Sequence, residues 1–208
     1  VGIFMGYVSH REHALVDVRL YLPKEWAADK KRRKRCGVPK EVRYRTRHEL
    51  ALEMLREKGE LLPHAWVAGD DEMGRSSRFR ADLRAMGERY LLAVPSNTTI
   101  RDLDGEEPSG SQSGRRLKRP FEQVRAWALA QPEAAWRRIE VRSGEKGPLG
   151  VDLLMTRVVA KTDRGRIGPE ELLMVLRTRE DDGTVTHDYY LSNAASETLP
   201  GLLARVAK

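Results

Sequence analysis

Three consecutive acids, Asp70, Asp71 and Glu72, follow a short apolar run in the sequence. The run, 65–69, is too short for a helix and lies after Pro63, which is typical of a buried central strand. In open α/β sheets ligands bind at the carboxyl ends of such strands, and carboxylates there can hold a divalent metal ion. The sequence therefore predicts a ligand-binding strand end whose acids could hold a metal ion. A cap on a helix or turn is the structural alternative for Asp70.

The residues after the acids must form the elements that hold them in place. Gly74 permits a sharp reversal of the chain, and Ser76 or Ser77 can cap a short helix that Gly87 ends. A second apolar strand, 90–94, then closes a β-α-β unit. The apolar face of the helix is formed by residues at i, i+4 and i+7, which are Phe79, Leu83 and Met86.

Positive charge is concentrated in one segment of the chain. Residues 24–58 include thirteen Lys and Arg residues against six acids, 13 − 6 = +7, which equals the net charge of the whole chain. Such a patch usually binds phosphate backbones, although a solvated helical face is the alternative for any single charge run. We expect nucleic-acid contacts from the densest run, which is Lys30, Lys31, Arg32, Arg33, Lys34 and Arg35.

Composition narrows the class of protein. The 208 residues, 40% of them hydrophobic, suffice for one large domain or a domain with an insertion. The single cysteine, Cys36, excludes an internal disulfide framework and fits a reducing cytoplasm. No apolar run is long enough for a membrane span, and Val1 opens on a strand-like segment, so we expect neither a signal peptide nor a membrane partner. His10, His13 and His64 do not show metal-ligand spacing.

The order of the remaining elements predicts an α/β fold with a ribonuclease-H-like mixed sheet and helices, interrupted by an antiparallel β-rich insertion. The clearest hairpin signal is Asp181-Asp182-Gly183. The other predicted elements are a hairpin over 1–8 and 14–21, a helix over 47–58, a loop over 100–119, a short helix over 121–129, strands from Trp136 onwards and the start of a helix carrying Leu199, Leu202, Leu203 and Val206.

Three stretches carry a resemblance to a known family: ALVDVRLYLPKEWAADKKRRKRCGVPKEV, HAWVAGDDEMGRSSRFRADLRAMGERYLLAVPSN, and YYLSNA with TLPGLLARVAK. They resemble bacterial DDE transposases, in particular the IS701 family within the IS4-like set. The resemblance implies cleavage and transfer of DNA strands by three carboxylates that hold two divalent ions, Mg²⁺ or Mn²⁺. It places one carboxylate, as catalytic residue and metal ligand, at Asp70. Asp71 is the runner-up, because a one-residue shift turns a strand side chain to the opposite face.

The resemblance also implies where the other carboxylates belong. In the family the first Asp lies on a strand before the hairpin and the Glu lies on a helix after the insertion, and neither Asp17 nor Glu197 fits these positions. We therefore expect an internal fragment or truncated copy, catalytically inactive by itself. The expected divisions are an incomplete catalytic core over 1–95, a flexible loop and short helix over 96–132, the insertion over 133–193 and the truncated start of a core helix over 194–208.

The expected partner is double-stranded DNA at transposon ends and target sites, with a homo-oligomer in a synaptic complex, in the bacterial nucleoid. A DNA-binding remnant without catalysis is the alternative function, and an unrelated metal nuclease that uses 70–72 alone is a third. Further DNA contacts are expected from Arg75, Arg78 and Arg80, or else these form a charged outer helix face. Trp136 could stack on a flipped base, with core packing as the alternative for it and for Trp127.

Overall fold

The computed structural model describes residues 1–9, 11–105, 111–112, 115–116, 119–144, 147–180 and 182–207. The chain divides into two compact units, Val1–His64 and Ala65–Lys208. Each unit has its own secondary structure and its own buried residues.

The first unit contains the predicted hairpin, followed by helices. Strand β1 (Gly2–Val8) pairs antiparallel with β2 (His13–Leu20), and Gly2 lies opposite Leu20. The prediction of a hairpin is therefore confirmed. The helices are α1 (Lys24–Ala28), α2 (Lys30–Arg35) and α3 (Arg47–Lys58), and a 3-10 turn over Gly59–Leu61 follows α3.

Helix α3 has the predicted bounds because Thr46 caps its first turn. Thr46 Oγ1 accepts the N–H of Glu49 at 3.1 Å, and the Glu49 carboxylate accepts the N–H of Thr46 at 2.7 Å. The hydrogen bond from the Thr46 backbone is the main cause that lowers the pKa of Glu49 below its ordinary value. This capping box satisfies two donors that the helix itself cannot use. The buried side chains of α3 are Leu50, Leu52, Met54 and Leu55.

The second unit contains ten strands and four α-helices among its described residues. In chain order these are β3 (Val67–Gly69), α4 (Asp71–Arg75), α5 (Ser77–Ala85), β4 (Tyr90–Ala93), β5 (Thr99–Asp102), β6 (Ser111–Gln112), β7 (Arg115–Arg116), β8 (Glu122–Gln123), α6 (Val124–Leu129), β9 (Arg137–Gly144), β10 (Gly147–Lys161), β11 (Ile167–Arg179), β12 (Val185–Ser192) and α7 (Pro200–Ala207), with a 3-10 turn over Glu133–Ala135 before β9.

Eight of these strands form one mixed sheet. Its order is β3-β4-β12-β11-β10-β5-β8, and β9 pairs with β10 in addition. Strands β3 and β4 are parallel, as the predicted β-α-β unit requires, and the other pairs in this sheet are antiparallel. The predicted α/β class with a mixed sheet is therefore confirmed. The strands of the predicted insertion extend the same sheet as β3 and β4.

Strand β11 lies in the middle of the sheet and sends alternate side chains to two cores. Leu173 lies in one core with Trp127 of α6, and Met174 lies in the other with Leu203 of α7. Both faces of the strand are therefore covered, which explains why its sequence is a continuous apolar run. Core packing, the alternative for Trp127, is what the structure shows.

The predicted loop over 100–119 begins with strand β5, which is a correction. Ile100 is fully buried, and Asp102 is 7% exposed. The Asp102 carboxylate accepts hydrogen bonds from Trp127 Nε1 at 3.0 Å and from Thr156 Oγ1 at 2.7 Å. The acid therefore belongs to the packed sheet, although its neighbours in sequence are typical of a loop. Residues 106–110, 113–114 and 117–118 of this loop, His10 and Asp181 lie outside the described residues.

The last two predicted elements are confirmed. Strands β11 and β12 form the hairpin expected around Asp182 and Gly183, with Arg179 opposite Val185. Helix α7 follows, as the spacing of the last leucines predicts. In the described parts of the chain, no helix has the length and apolar character needed to cross a membrane.

Candidate functional site

Asp70 lies at the carboxyl end of β3, directly after Gly69. Gly69 is opposite Leu92 of the parallel strand β4, so the residues that follow both strands lie at the same edge of the sheet. The Asp70 side chain is exposed at this edge. The strand end therefore presents a carboxylate to solvent where open α/β sheets bind ligands.

Asp70 is at the same time the N-cap of α4. Its Oδ1 accepts the N–H of Met73 at 3.1 Å, and its backbone is extended, with φ −72° and ψ −178°. No hydrogen bond to its other carboxylate oxygen is found among the described residues. The capping role therefore uses one oxygen and leaves the other open to a ligand. Asp71, the first residue of α4, is exposed.

Gly74 sets how closely α4 approaches the sheet. A Cβ atom at this position would lie 1.8 Å from the carbonyl oxygen of Ala93 and 3.0 Å from Cβ of Leu92, both on β4. The reversal predicted for Gly74 is thus not its main role, because the residue lies within the helix. Its missing side chain lets the turn that carries Asp70 pack directly on β4.

Arg80 also contacts α4, the helix that Asp70 caps. Its side chain is buried, its guanidinium donates to the carbonyl of Gly74, and its Nε donates to Oε1 of Glu171 at 2.9 Å. The expectation that Arg80 contacts DNA phosphates is therefore wrong. Arg80 and Leu83 are three residues apart and therefore lie on the same, buried face of α5, and this spacing could have indicated that Arg80 is buried.

Glu171, on β11, connects Arg80 to Tyr90 of β4. Its Oε1 also accepts the hydroxyl of Tyr90 at 2.5 Å, whereas Oε2 is buried without a hydrogen-bond partner among the described residues. Burial, followed by the neighbouring Glu171 charge, raises the pKa of Tyr90. Arg80, Glu171 and Tyr90 thus form a buried polar network under the turn of Asp70, and sequence patterns alone did not reveal it.

The described residues by themselves do not fit a two-metal site. They contain no group of three or more Asp, Glu, His or Cys side chains arranged to hold a metal ion. Two divalent ions require several oxygen ligands each, and Asp70 offers one carboxylate with one oxygen already used as a cap. These residues alone therefore do not support a chemical step through a metal ion.

Asp17 and Glu197, the two acids that do not fit the family's catalytic positions, have partners close to them in sequence. Asp17 Oδ2 lies 2.9 Å from the guanidinium of Arg19, and its Oδ1 accepts the N–H of Val18 at 2.7 Å. Glu197 is exposed and accepts the hydroxyl of Ser196 at 2.9 Å. Both carboxylates are therefore engaged by their own neighbours in sequence.

The basic run forms helix α2 of the first unit, and its members differ in their contacts. Asp29 caps the helix. Arg33 donates to the carbonyls of Ala27 at 3.3 Å and of Pro39 at 2.9 Å, so its guanidinium holds the following loop. The guanidinium of Arg32 lies 4.6 Å from the centroid of the Trp26 ring. Exposed members of the run that could bind phosphates are Lys30, Lys31, Arg32, Lys34 and Arg35.

Arg78 and Trp136, which were also predicted to contact DNA, likewise differ in their contacts. Arg78 lies on the exposed side of α5 and is paired with Asp82 at 3.1 Å. Trp136 is half-buried, packs against the core that contains Trp127, and has the guanidinium of Arg177 4.2 Å from its ring centroid. Since Arg177 covers one face of the ring, core packing accounts for Trp136 without a base.

Arg75 ends α4 and is exposed. Its side chain lines an open cleft at the carboxyl end of β4, which distinguishes it from Arg78 and Arg80.

Comparison with known proteins identifies one family. The family model described as DDE superfamily endonuclease matches residues 1–148, which is most of the chain. A search of curated proteins finds no sequence that matches.

Proposed function

The chain belongs to the DDE superfamily endonucleases, and on that basis we propose that it acts on DNA as part of the catalytic domain of an IS701-type transposase. Its partners in this proposal are transposon ends and target DNA, bound in a synaptic homo-oligomer in the bacterial nucleoid. The family typically uses divalent metal ions, for which Mg²⁺ or Mn²⁺ is expected.

The position of Asp70 supports this proposal most directly. The residue stands at the carboxyl edge of the only parallel strand pair in the described sheet, is exposed, and keeps one carboxylate oxygen outside the cap of α4. In the proposal Asp70 is one of the family's metal-binding carboxylates, and Asp71 remains the runner-up. The expected phosphate contacts are those of Arg75 and of Lys30, Lys31, Arg32, Lys34 and Arg35.

A second candidate function is DNA binding without catalysis by this chain. It is favoured by the absence, within the described residues, of a three-carboxylate group around Asp70. In this case the chain binds DNA, or intact transposase, through its basic surfaces. Both candidates predict that the isolated chain does not cut DNA, and they differ in whether Asp70 contributes to metal binding.

Binding of Mn²⁺ to the chain in the presence of DNA, measured by electron paramagnetic resonance, tests the role of Asp70. The variant Asp70→Asn keeps the helix cap, since Asn caps as well as Asp, but removes the charge that a cation needs. Asp71→Asn is the matched control, with the same change one residue away. We expect weaker Mn²⁺ binding in Asp70→Asn and unchanged binding in Asp71→Asn.

The other outcomes separate the alternatives. Loss of Mn²⁺ binding in Asp71→Asn alone would transfer the role to that residue, and no effect of either change would favour DNA binding without catalysis. A chain that does not bind DNA at all would overturn the proposed function. Nicking of DNA with transposon ends by the isolated chain in Mg²⁺, if lost in Asp70→Asn, would contradict the predicted inactivity.

A further inference from the structure

An open cleft of about 550 Å³ lies in the second unit, at the carboxyl end of β4. Its walls come from three parts of the chain: the end of α4, the segment between β4 and β5, and the turn between β10 and β11. The lining side chains are mostly polar or cationic and include Arg75, Asn97, Thr98, Thr99, Lys161 and Thr162.

Hydrogen bonds join the two sides of the cleft. Asp163, in the turn between β10 and β11, accepts the N–H of Ser77 at 3.1 Å and the hydroxyl of Ser76 at 3.5 Å. In return, Ser77 Oγ accepts the N–H of Asp163 at 3.0 Å. Ser76 directly follows Arg75, so these contacts hold the arginine beside the turn that follows Lys161, the last residue of β10.

The cleft has an excess of positive charge. No ion pair with a carboxylate is found for Arg75 or Lys161 among the described residues, and the one acid in the lining, Asp163, already accepts from two serines. Arg101 adds a third cation nearby, since it and Lys161 face the same Phe121 ring, at 4.2 and 5.0 Å from its centroid. An anion in the cleft would relieve this repulsion.

We propose that the cleft binds a phosphate group of the DNA backbone, held by Arg75 and Lys161 and by the neighbouring threonine and asparagine side chains. These are the residue types that usually contact DNA phosphates. The site rests on the proposed function and adds to it a specific position for the strand.

Fluorescence anisotropy with a short labelled DNA duplex tests the site, with the parent and the variants Arg75→Ala and Lys161→Ala. Each variant should bind DNA several-fold more weakly, and each should reduce the slope of log affinity against log salt by about one. Arg205→Ala is the matched control, because it removes one exposed cation of α7 in the same unit and does not line the cleft. Its affinity and slope should equal those of the parent. Circular dichroism verifies that each variant is folded.

The outcomes distinguish this site from the proposed function. If the parent binds DNA and both cleft variants bind like Arg205→Ala, the phosphate site is wrong while the proposed function stands. If the parent binds no DNA, both are overturned. If inorganic phosphate, at constant ionic strength, binds the parent but not Arg75→Ala, while the two proteins bind DNA with equal affinity and equal salt slope, the cleft is a site for free phosphate and the assignment to the DNA strand is wrong.

Discussion

Replacement of Gly74 by Ala tests whether the turn of Asp70 depends on direct contact between α4 and β4. In a helix with free space, Gly→Ala stabilises a protein by about 0.4–1 kcal/mol, because it restricts the unfolded chain. At Gly74 the new Cβ would lie 1.8 Å from the backbone oxygen of Ala93, whereas real Cβ contacts stay above 3.0 Å. Helix and strand must therefore separate by at least 3.0 − 1.8 = 1.2 Å.

Forcing a well-packed contact apart in this way typically costs about 1–3 kcal/mol. The matched control is Gly201→Ala in α7, where the added Cβ would meet its nearest atom, Cγ2 of Ile139, at 3.9 Å, an ordinary contact. We expect Gly74→Ala to be destabilised and Gly201→Ala to be neutral or slightly stabilised, with a difference of about 1.5–4 kcal/mol between them.

Urea unfolding followed by tryptophan fluorescence measures this difference, since Trp127 is buried in the second unit. Each kcal/mol corresponds to a shift of about 2–4 °C in Tm for a chain of this size. A Gly74→Ala protein as stable as Gly201→Ala would refute the packing argument. Because this displacement moves the turn that carries Asp70, Gly74→Ala should also weaken any Mn²⁺ binding that depends on Asp70.

Two further predictions concern arginines whose roles the structure separates from DNA binding. Arg80→Met should destabilise the second unit by about 3–5 kcal/mol in urea unfolding, because Glu171 would remain as an uncompensated buried charge. Combining Arg80→Met with Glu171→Gln should restore part of the lost stability. Unchanged stability of Arg80→Met would contradict the buried pair. Arg33→Ala should cost the first unit about 1–3 kcal/mol through lost hydrogen bonds to the loop, whereas Lys34→Ala should keep the stability and lower the salt dependence of DNA binding. Equal stability of these two variants would contradict the structural role of Arg33.

Local sequence signals were sufficient where a residue acts on its own neighbours. The cap at Ser76 accepts the N–H of Phe79 at 3.3 Å, and Gly87 ends the helix region with φ +78°, both as the sequence predicts. The strand before Asp70 could also be recognised, because a short apolar run before acids is typical of a strand end. The prediction that this strand is buried and central is wrong, because β3 lies at the edge of the described sheet and Ala68 is exposed. These features depend on periodicity and on the conformational preferences of single residues, which are local properties.

Tertiary structure alone decided which arginines are buried and which face an open cleft. Arg75, Arg78 and Arg80 are close in sequence, yet one lines the cleft, one pairs with a neighbour on its helix, and one is buried against Glu171, 91 residues away. The cost of burying a charge depends on whether a partner reaches it, and here that partner comes from a distant strand. Only the fold brings Arg75 and Lys161 to the same cleft, because no periodicity in the sequence relates the two positions.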